Sequence, residues 1–327
     1  MTSPIWIPEQ DVVALMSLPD AIGALERGLA MQASGGAKNM VKTHVAWGEN
    51  NLHAIGAAFP DSGIVGTKTW AHTTGGACPL LTLFDAATGQ LKAIIEAFAL
   101  GQMRTGGISG VATRWLSRPD ADILALIGTG KQALAQLAAV AAVRPLRLVR
   151  VFSPTPEKRR AFVARARESF DIEIVEAGSV DEAVRDAPII TTVTRAKQPF
   201  LSAPQIARGA HVNAVGAITE ERIELASDVF SRCTRAVVDD LPGAQKLSTE
   251  FTRAYGDTGR WADDVTSLSD VVANNRGRDA GDDITVFKAM GMGVSDVALG
   301  KEIFELATRA GLGIPMPTPV RKAPRLA

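Results

Sequence analysis

Ile127-Gly128-Thr129-Gly130-Lys131-Gln132-Ala133 is the stretch on which the fold turns. It ends an apolar run, Ile123 to Ile127, and opens a helical pattern, Gln132 to Val143. That is the context in which a Gly-x-Gly-x-x-Ala turn carries weight. The first glycine permits the tight turn, the second lets a pyrophosphate approach the backbone, and the alanine lets helix pack closely on strand. Phosphate then meets free N–H groups at the positive end of the helix. Gly128, Thr129, Gly130, Lys131, Gln132 and Ala133 are therefore candidate cofactor-binding residues.

Downstream, five further short apolar or β-branched runs alternate with helical stretches: Leu148 to Phe152, Ile172 to Val175, Ile189 to Val193, His211 to Val215 and Ala236 to Val238. Such alternation predicts a Rossmann-type, doubly wound parallel sheet with helices on both faces. The polar, glycine-rich Thr252 to Asp283 predicts irregular structure with one helix over Leu268 to Ala273, and Val294 to Ala310 predicts an amphipathic helix capped by Gly311. Upstream the period changes. After a helix near Pro19-Asp20, the runs Val41 to Trp47, Leu52 to Phe59, Ile64 to Trp70, Leu80 to Phe84 and Leu91 to Ile95 predict an antiparallel meander. The stretch Ala99 to Leu116 predicts a helix although it holds Gly101, Gly106, Gly107 and Gly110, a costly number unless something approaches the backbone closely.

The end of the second strand of a dinucleotide fold selects the cofactor, because an acid there accepts from the ribose 2′-hydroxyl and repels a 2′-phosphate. Here the chain reads Phe152-Ser153-Pro154-Thr155-Pro156-Glu157-Lys158-Arg159-Arg160. Ser153, Thr155, Lys158 and Arg159 offer hydroxyls and cations, which favours NADP(H) over NAD(H). Elsewhere single cations, Lys42, Lys68 and Arg104, stand among apolar or glycine-rich neighbours. A buried cation needs an anion, so several of them converging would suit a carboxylate substrate; taken one by one, each reads equally as an ordinary surface residue.

The 327 residues are 46% hydrophobic, enough for two domains. Thirty-five basic and 35 acidic residues cancel, which argues against a nucleic-acid partner. No apolar stretch reaches a membrane-spanning length, and the start, Met1 to Trp6, lacks a basic region followed by an apolar run. Two distant cysteines, Cys78 and Cys233, are expected to be free, buried thiols. Together these predict a cytoplasmic protein with a small-molecule partner. His44, His53, His72 and His211 show no metal-ligand spacing, so no metal is expected. His72 could reach a site from its loop-like position. Asp296 reads as a charge favourable to the dipole of the last helix, and Asp239-Asp240 as residues on the rim of a cleft.

Gly66-Thr67-Lys68, Leu83-Phe84-Asp85-Ala86-Ala87-Thr88-Gly89, Arg104-Thr105, the glycine-rich turn, Asn213-Ala214-Val215-Gly216-Ala217 and Thr285-Val286-Phe287-Lys288-Ala289-Met290-Gly291-Met292 occur in this order. Together they resemble the ornithine cyclodeaminase and mu-crystallin family over roughly residues 5 to 310. The resemblance implies a discontinuous α+β substrate and dimerisation domain (1–115 with 298–327) around a dinucleotide-binding domain (116–297), and a homodimer. It implies that Lys68 and Arg104 are catalytic and hold a substrate carboxylate, with Lys42 standing where the family has a strand arginine. It also implies that Val215, Gly216, Val286 and Phe287 lie near the cofactor. The activity implied is NAD(P)(H)-dependent oxidoreduction at the C–N bond of a small 2-amino or 2-imino acid, by an imine or ketimine reductase or an amino-acid dehydrogenase such as alanine dehydrogenase. Cyclodeaminating members carry an aspartate just after the Val-Gly-Ala block, where this chain has Ile218. Isoleucine does no acid–base work. Ornithine cyclodeaminase therefore stands as the alternative, requiring Glu220 or Glu221 to substitute. A non-catalytic NADP(H)-binding protein of mu-crystallin type is the alternative of another class.

Overall fold

A computed structural model of the chain describes residues 3–256 and 259–326. Met1 and Thr2, part of the N-terminal reading above, lie outside them, as do Asp257, Thr258 and Ala327. The chain divides into two compact units, one of residues 1–17, 34–101 and 292–327, the other of 18–33 and 102–291. The cuts fall after Gly101, within the Phe98–Leu116 helix, and after Gly291, where the sequence reading has 115 and 297.

The second unit is built on an eight-stranded parallel sheet in the order Glu173–Glu176, Leu148–Phe152, Ile123–Ile127, Ile189–Thr192, His211–Ala214, Ile284–Lys288, Cys233–Val238, Val265–Ser267. Six of these strands match the sequence reading to within a few residues. Two correct it. Val265–Ser267 lies in the stretch expected to be irregular, which also holds helices Thr249–Tyr255 and Trp261–Asp264. Ile284–Lys288 occupies an inner position in the sheet with all five residues buried.

Three of the four glycines of the Phe98–Leu116 helix, Gly106, Gly107 and Gly110, have a packing reason. A Cβ at Gly106 would stand 2.6 Å from the Ala135 carbonyl oxygen, and one at Gly107 the same distance from Leu25 Cδ1. The missing methyls let the helices 18–33 and 133–141 close on it. Its C-terminal carbonyls are satisfied by Arg144, which donates to the oxygens of Thr113, Arg114, Ser117 and Arg118 at 2.7–3.0 Å. A cation there also suits the helix dipole. His211 is wholly buried beside Thr285 and Asn213 and burial pushes it down to about 3, so it is a neutral polar bridge inside the sheet.

The first unit carries a nine-stranded sheet in which Asn50–Phe59, Ile64–Thr73, Leu80–Asp85 and Leu91–Glu96 form the antiparallel meander expected. The turn of the Asp-Ala-Ala-Thr-Gly block is fixed by Asp85 Oδ1, which accepts from the Ala87 and Thr88 amides and the Thr88 hydroxyl. The Gly293–Ala310 helix, ended by Gly311 in the left-handed region, packs on three of these strands. Its first residue, Gly293, meets the Gly56 backbone so closely that no Cβ fits there, and a Cβ at Gly56 would in turn collide with the Gly66 carbonyl oxygen.

Candidate active site

The glycine-rich turn lies at the carboxyl edge of the parallel sheet. From Ile123–Ile127 the chain passes to Leu148–Phe152 on one side and later to Ile189–Thr192 on the other, so Gly128 stands at a topological switch point, where open α/β sheets bind ligands. Gly128 has φ 114°, and a Cβ there would lie 2.6 Å from the Val193 carbonyl oxygen. A Cβ at Gly130 would meet nothing within 4 Å. The Ala133–Ala141 helix that follows has no side-chain cap at Gln132, and Gln132 Oε1 is buried without a hydrogen-bond partner. Open space, uncapped N–H donors and an orphaned polar atom fit a dinucleotide pyrophosphate.

Two neighbouring edge segments are pinned by one carboxylate. Glu224, fully buried, accepts from the Thr194 amide (2.7 Å), the Gly216 amide (2.9 Å) and the Thr192 hydroxyl (2.9 Å). Glu250 Oε1 in turn accepts from the Glu224 and Leu225 amides, and its Oε2 takes Lys288 Nζ at 2.8 Å with both side chains at 0% exposure. Sequence reasoning misses both glutamates, because nothing local distinguishes them from surface acids.

Asp239 is 3% exposed and clamps the turn after Ile284–Lys288, accepting from the amides of Met290 (2.7 Å) and Gly291 (2.8 Å). Burial raises its carboxyl, and the amides and Arg104 pull it back. It is a buried anchor and not the rim residue expected. Arg104, half-buried, approaches the same turn, its Nη1 2.9 Å from where a Cβ of Gly291 would stand. Val286 and Phe287, expected near the nicotinamide, are wholly buried inside the sheet. The part of that block at the carboxyl edge is Ala289-Met290-Gly291.

At the end of the second strand Ser153 is buried and Lys158 exposed. Arg159 departs from expectation. Its Nε donates to Glu176 at 3.0 Å and its Nη1 to the Ser153 carbonyl at 2.9 Å, so Glu176, at the end of the next strand, already partners its charge.

In the first unit, Lys68 is 3% exposed and paired with Asp296, which is fully buried in the first turn of the Gly293–Ala310 helix. Asp296 stands in the first turn of the helix as expected and is also the counter-ion of a buried ammonium. Lys68 Nζ also lies 5.1 Å from the Trp70 ring centre. Strand alternation puts Lys68, Trp70 and His72 on one face, with His53 opposite Trp70 and stacked on it at 4.8 Å. Burial first, then Lys42, His44 and His72, pushes His53 down to about 4, so the surroundings of the half-buried Lys42 are electropositive. His72 is exposed. Of the cysteines, Cys78 is exposed, contrary to expectation, and both are free. Among the described residues no group of His, Cys, Asp or Glu is arranged to hold a metal, and no helix is long and apolar enough to cross a membrane.

The parallel sheet, its switch-point glycine turn and the separate, mainly antiparallel sheet define a Rossmann-type α/β protein of two units. The chain belongs to the ornithine cyclodeaminase/mu-crystallin family, whose model matches residues 6–311. It is 34% identical over 236 residues to Delta(1)-pyrroline-2-carboxylate reductase of Bacillus cereus, covering 72% of each chain. Its fold matches the Thermococcus litoralis Delta(1)-pyrroline-2-carboxylate reductase in complex with NADH and L-proline at TM-score 0.86 and 27% identity, covering 95% of this chain and 100% of that one. It matches an archaeal alanine dehydrogenase dimer with bound NAD at TM-score 0.88 and 26% identity, covering 97% and 99%.

Proposed function

We propose that this chain is a cytoplasmic, homodimeric NAD(P)(H)-dependent oxidoreductase that reduces the C=N bond of a small 2-imino acid, or oxidises the corresponding amino acid. The observation that carries the choice of reduction over cyclodeamination is the lack of an available acid at Ile218. Of the acids that follow, Glu224 and Glu250 are committed to backbone amides and Glu220 and Glu221 are exposed. Hydrogen bonds from its own amide and from Thr219 hold the Glu221 carboxyl below its usual range.

When bound, the dinucleotide supplies or accepts the hydride at C2. Gly128, Thr129, Gly130, Lys131 and Gln132 would hold its pyrophosphate, with Ala133 letting the helix approach, and Val215 and Gly216, with the Val286-Phe287 strand beneath, would border its nicotinamide end. In this reading Lys68, Arg104 and Lys42 bind the substrate carboxylate, and Asp296 fixes the position of the Lys68 ammonium. Lys68 also keeps the imine nitrogen protonated, which makes C2 electrophilic. Ile218 contributes an apolar wall that excludes hydrolytic water. Residues 1–115 with 298–327 supply the substrate and dimer-forming part, and 116–297 the cofactor part. The exposed apolar side chains of one strand pair, Val45 (58%), Trp47 (46%) and Leu52 (42%), support a second copy as the dimer partner.

The test is direct. Purified protein should reduce at least one of pyrroline-2-carboxylate, piperideine-2-carboxylate, iminosuccinate or pyruvate with ammonia, and should form little proline or ammonia from ornithine and NAD. Robust proline formation that disappears in a Glu220→Ala or Glu221→Ala variant would establish the cyclodeaminase instead. Dinucleotide binding with no turnover on any of these substrates would favour the non-catalytic binding protein.

On cofactor choice, Ser153, Thr155 and Lys158 support NADP(H), with Arg159 bordering the phosphate while held by Glu176. The catalytic efficiency should be higher with NADPH than with NADH, and Ser153→Asp should reverse the order. An unmodified enzyme that prefers NADH, or is indifferent, would overturn this preference.

A further inference from the structure

On the amino edge of the parallel sheet, opposite the phosphate-binding turn, the second unit has a cleft of about 700 Å³. Its charged lining comes from four arginines, Arg114, Arg118, Arg208 and Arg278, and two acids, Asp279 and Asp282. Asp279 and Asp282 share one cation, Arg235, at 2.7 and 3.1 Å, so together they leave a single acid charge against the arginines of the cleft. Asp283, which faces Arg208 electrostatically, is held in bidentate fashion by Arg232 at 2.9 and 3.0 Å. Arg114 pairs with Glu26 at 2.5 Å. Against that one acid charge and Asp120 stand three cations, Arg118, Arg208 and Arg278. Arg278 spends its donors on neutral carbonyls, those of Leu116, Asp282 and Asp283. Arg118 makes an exposed contact of 3.4 Å with Asp120.

These charges converge. Gly209 has φ +82°, and a Cβ built there would lie 3.6 Å from Arg278 Nη2 and 3.9 Å from Arg118 Nη1. Two guanidinium groups thus approach one point of backbone that carries no side chain, with Arg208 next to it in sequence. Burial, and then the charge of Arg118 among its neighbours, holds the Arg278 guanidinium below its usual range although Asp282 opposes this. Arg144 adds a further cation behind the cleft, on the helix end that Arg114 and Arg118 flank. Capping of that helix accounts for Arg144 and for part of Arg278. It does not account for Arg118 or Arg208.

We infer that this cleft is a second ligand site, one that takes the phosphate group of a small organic phosphate. Guanidinium groups in a fork match phosphate oxygens in geometry and charge. The volume is that of a small-molecule pocket and exceeds what a bare oxyanion fills. The Trp115 side chain in the lining, its indole N–H donated to Glu26 at 3.0 Å, offers an apolar wall to the rest of the ligand. The site is separate from the dinucleotide turn, which stands at the other edge of the same strands.

The experiment uses the full chain saturated with dinucleotide, so that the glycine-rich turn is filled, and compares pyrophosphate and inorganic phosphate with sodium chloride at equal ionic strength. Pyrophosphate at millimolar concentration is expected to raise Tm by about 3 °C or more over chloride, with inorganic phosphate giving a smaller rise. In Arg118→Ala/Arg208→Ala the rise should vanish. Should that variant not fold, Arg208→Gln alone is titrated by calorimetry, with pyrophosphate binding expected to weaken about tenfold, the effect of removing one charge-assisted hydrogen bond. An undiminished rise in the double variant overturns the proposal, as does unchanged pyrophosphate affinity in Arg208→Gln. So does the absence of any rise over chloride. A rise present without dinucleotide and abolished by it would also overturn it, because the anion would then be occupying the glycine-rich turn.

Discussion

In the Lys68→Met variant, reductive turnover falls about a hundredfold or more, while dinucleotide affinity is retained. That is the magnitude expected when a reacting ligand is deprived of a charge-assisted hydrogen bond. Methionine keeps the length and apolar character of the stem on its buried strand and removes only the ammonium. Arg104→Leu should reduce turnover by a similar factor. Lys68 is also the partner of buried Asp296, and taking one member from a buried pair destabilises, so a thermal melt accompanies the kinetics. Asp296→Asn separates the two effects. It keeps a polar group in place, and it should raise KM for the imino acid more than it lowers kcat. If folded Lys68→Met or Arg104→Leu turned over near the unmodified rate, that residue would be structural.

The second large effect concerns Lys288. Lys288→Met leaves the Glu250 carboxylate, which is at 0% exposure, without its ammonium, and removing one partner of a buried pair costs about 3–5 kcal/mol. Chemical denaturation should show the midpoint of the second unit falling accordingly. Because Glu250 holds the amides of Glu224 and Leu225, and Glu224 holds Thr192, Thr194 and Gly216, the damage should reach the dinucleotide edge and weaken cofactor binding as well. A destabilisation of less than about 1 kcal/mol, the scale of an exposed pair, would mean that the buried pair carries little of the stability.

The glycine turn and most of the strands are legible because their signals are local: an apolar run of strand length, a fixed glycine spacing, a change of period. Ile284–Lys288 is not legible as a strand. It is preceded by Asp282 and Asp283 and ends on a lysine, so its pattern reads as the edge of a loop until Glu250 is known to neutralise the charge. The same blindness to distant partners explains Asp296, whose first-turn position satisfies the helix dipole while its true partner lies 228 residues away. Arg159 reads as a phosphate ligand because sequence alone does not place Glu176, on the next strand, beside it. Lys42, Lys68 and Arg104 stand out as charges among apolar or glycine-rich neighbours, of which Lys68 alone is buried, and only the family resemblance gives them a common purpose.

The sheet of the first unit pairs Ile5 with Pro315 and Trp6 with Ile314, and it carries the Gly293–Ala310 helix on its face. Contacts so distant along the chain make folding slow, because the closure entropy of a very long loop precedes any reward. On the ribosome the strand Ile5–Ile7 must wait until Ile314 and Pro315 have been synthesised before its outer neighbour exists. A nascent chain arrested before residue 293 would hold every strand of the parallel sheet together with a meander lacking the helix that covers it, so the second unit can mature during translation while the first stays open to chaperones and proteases.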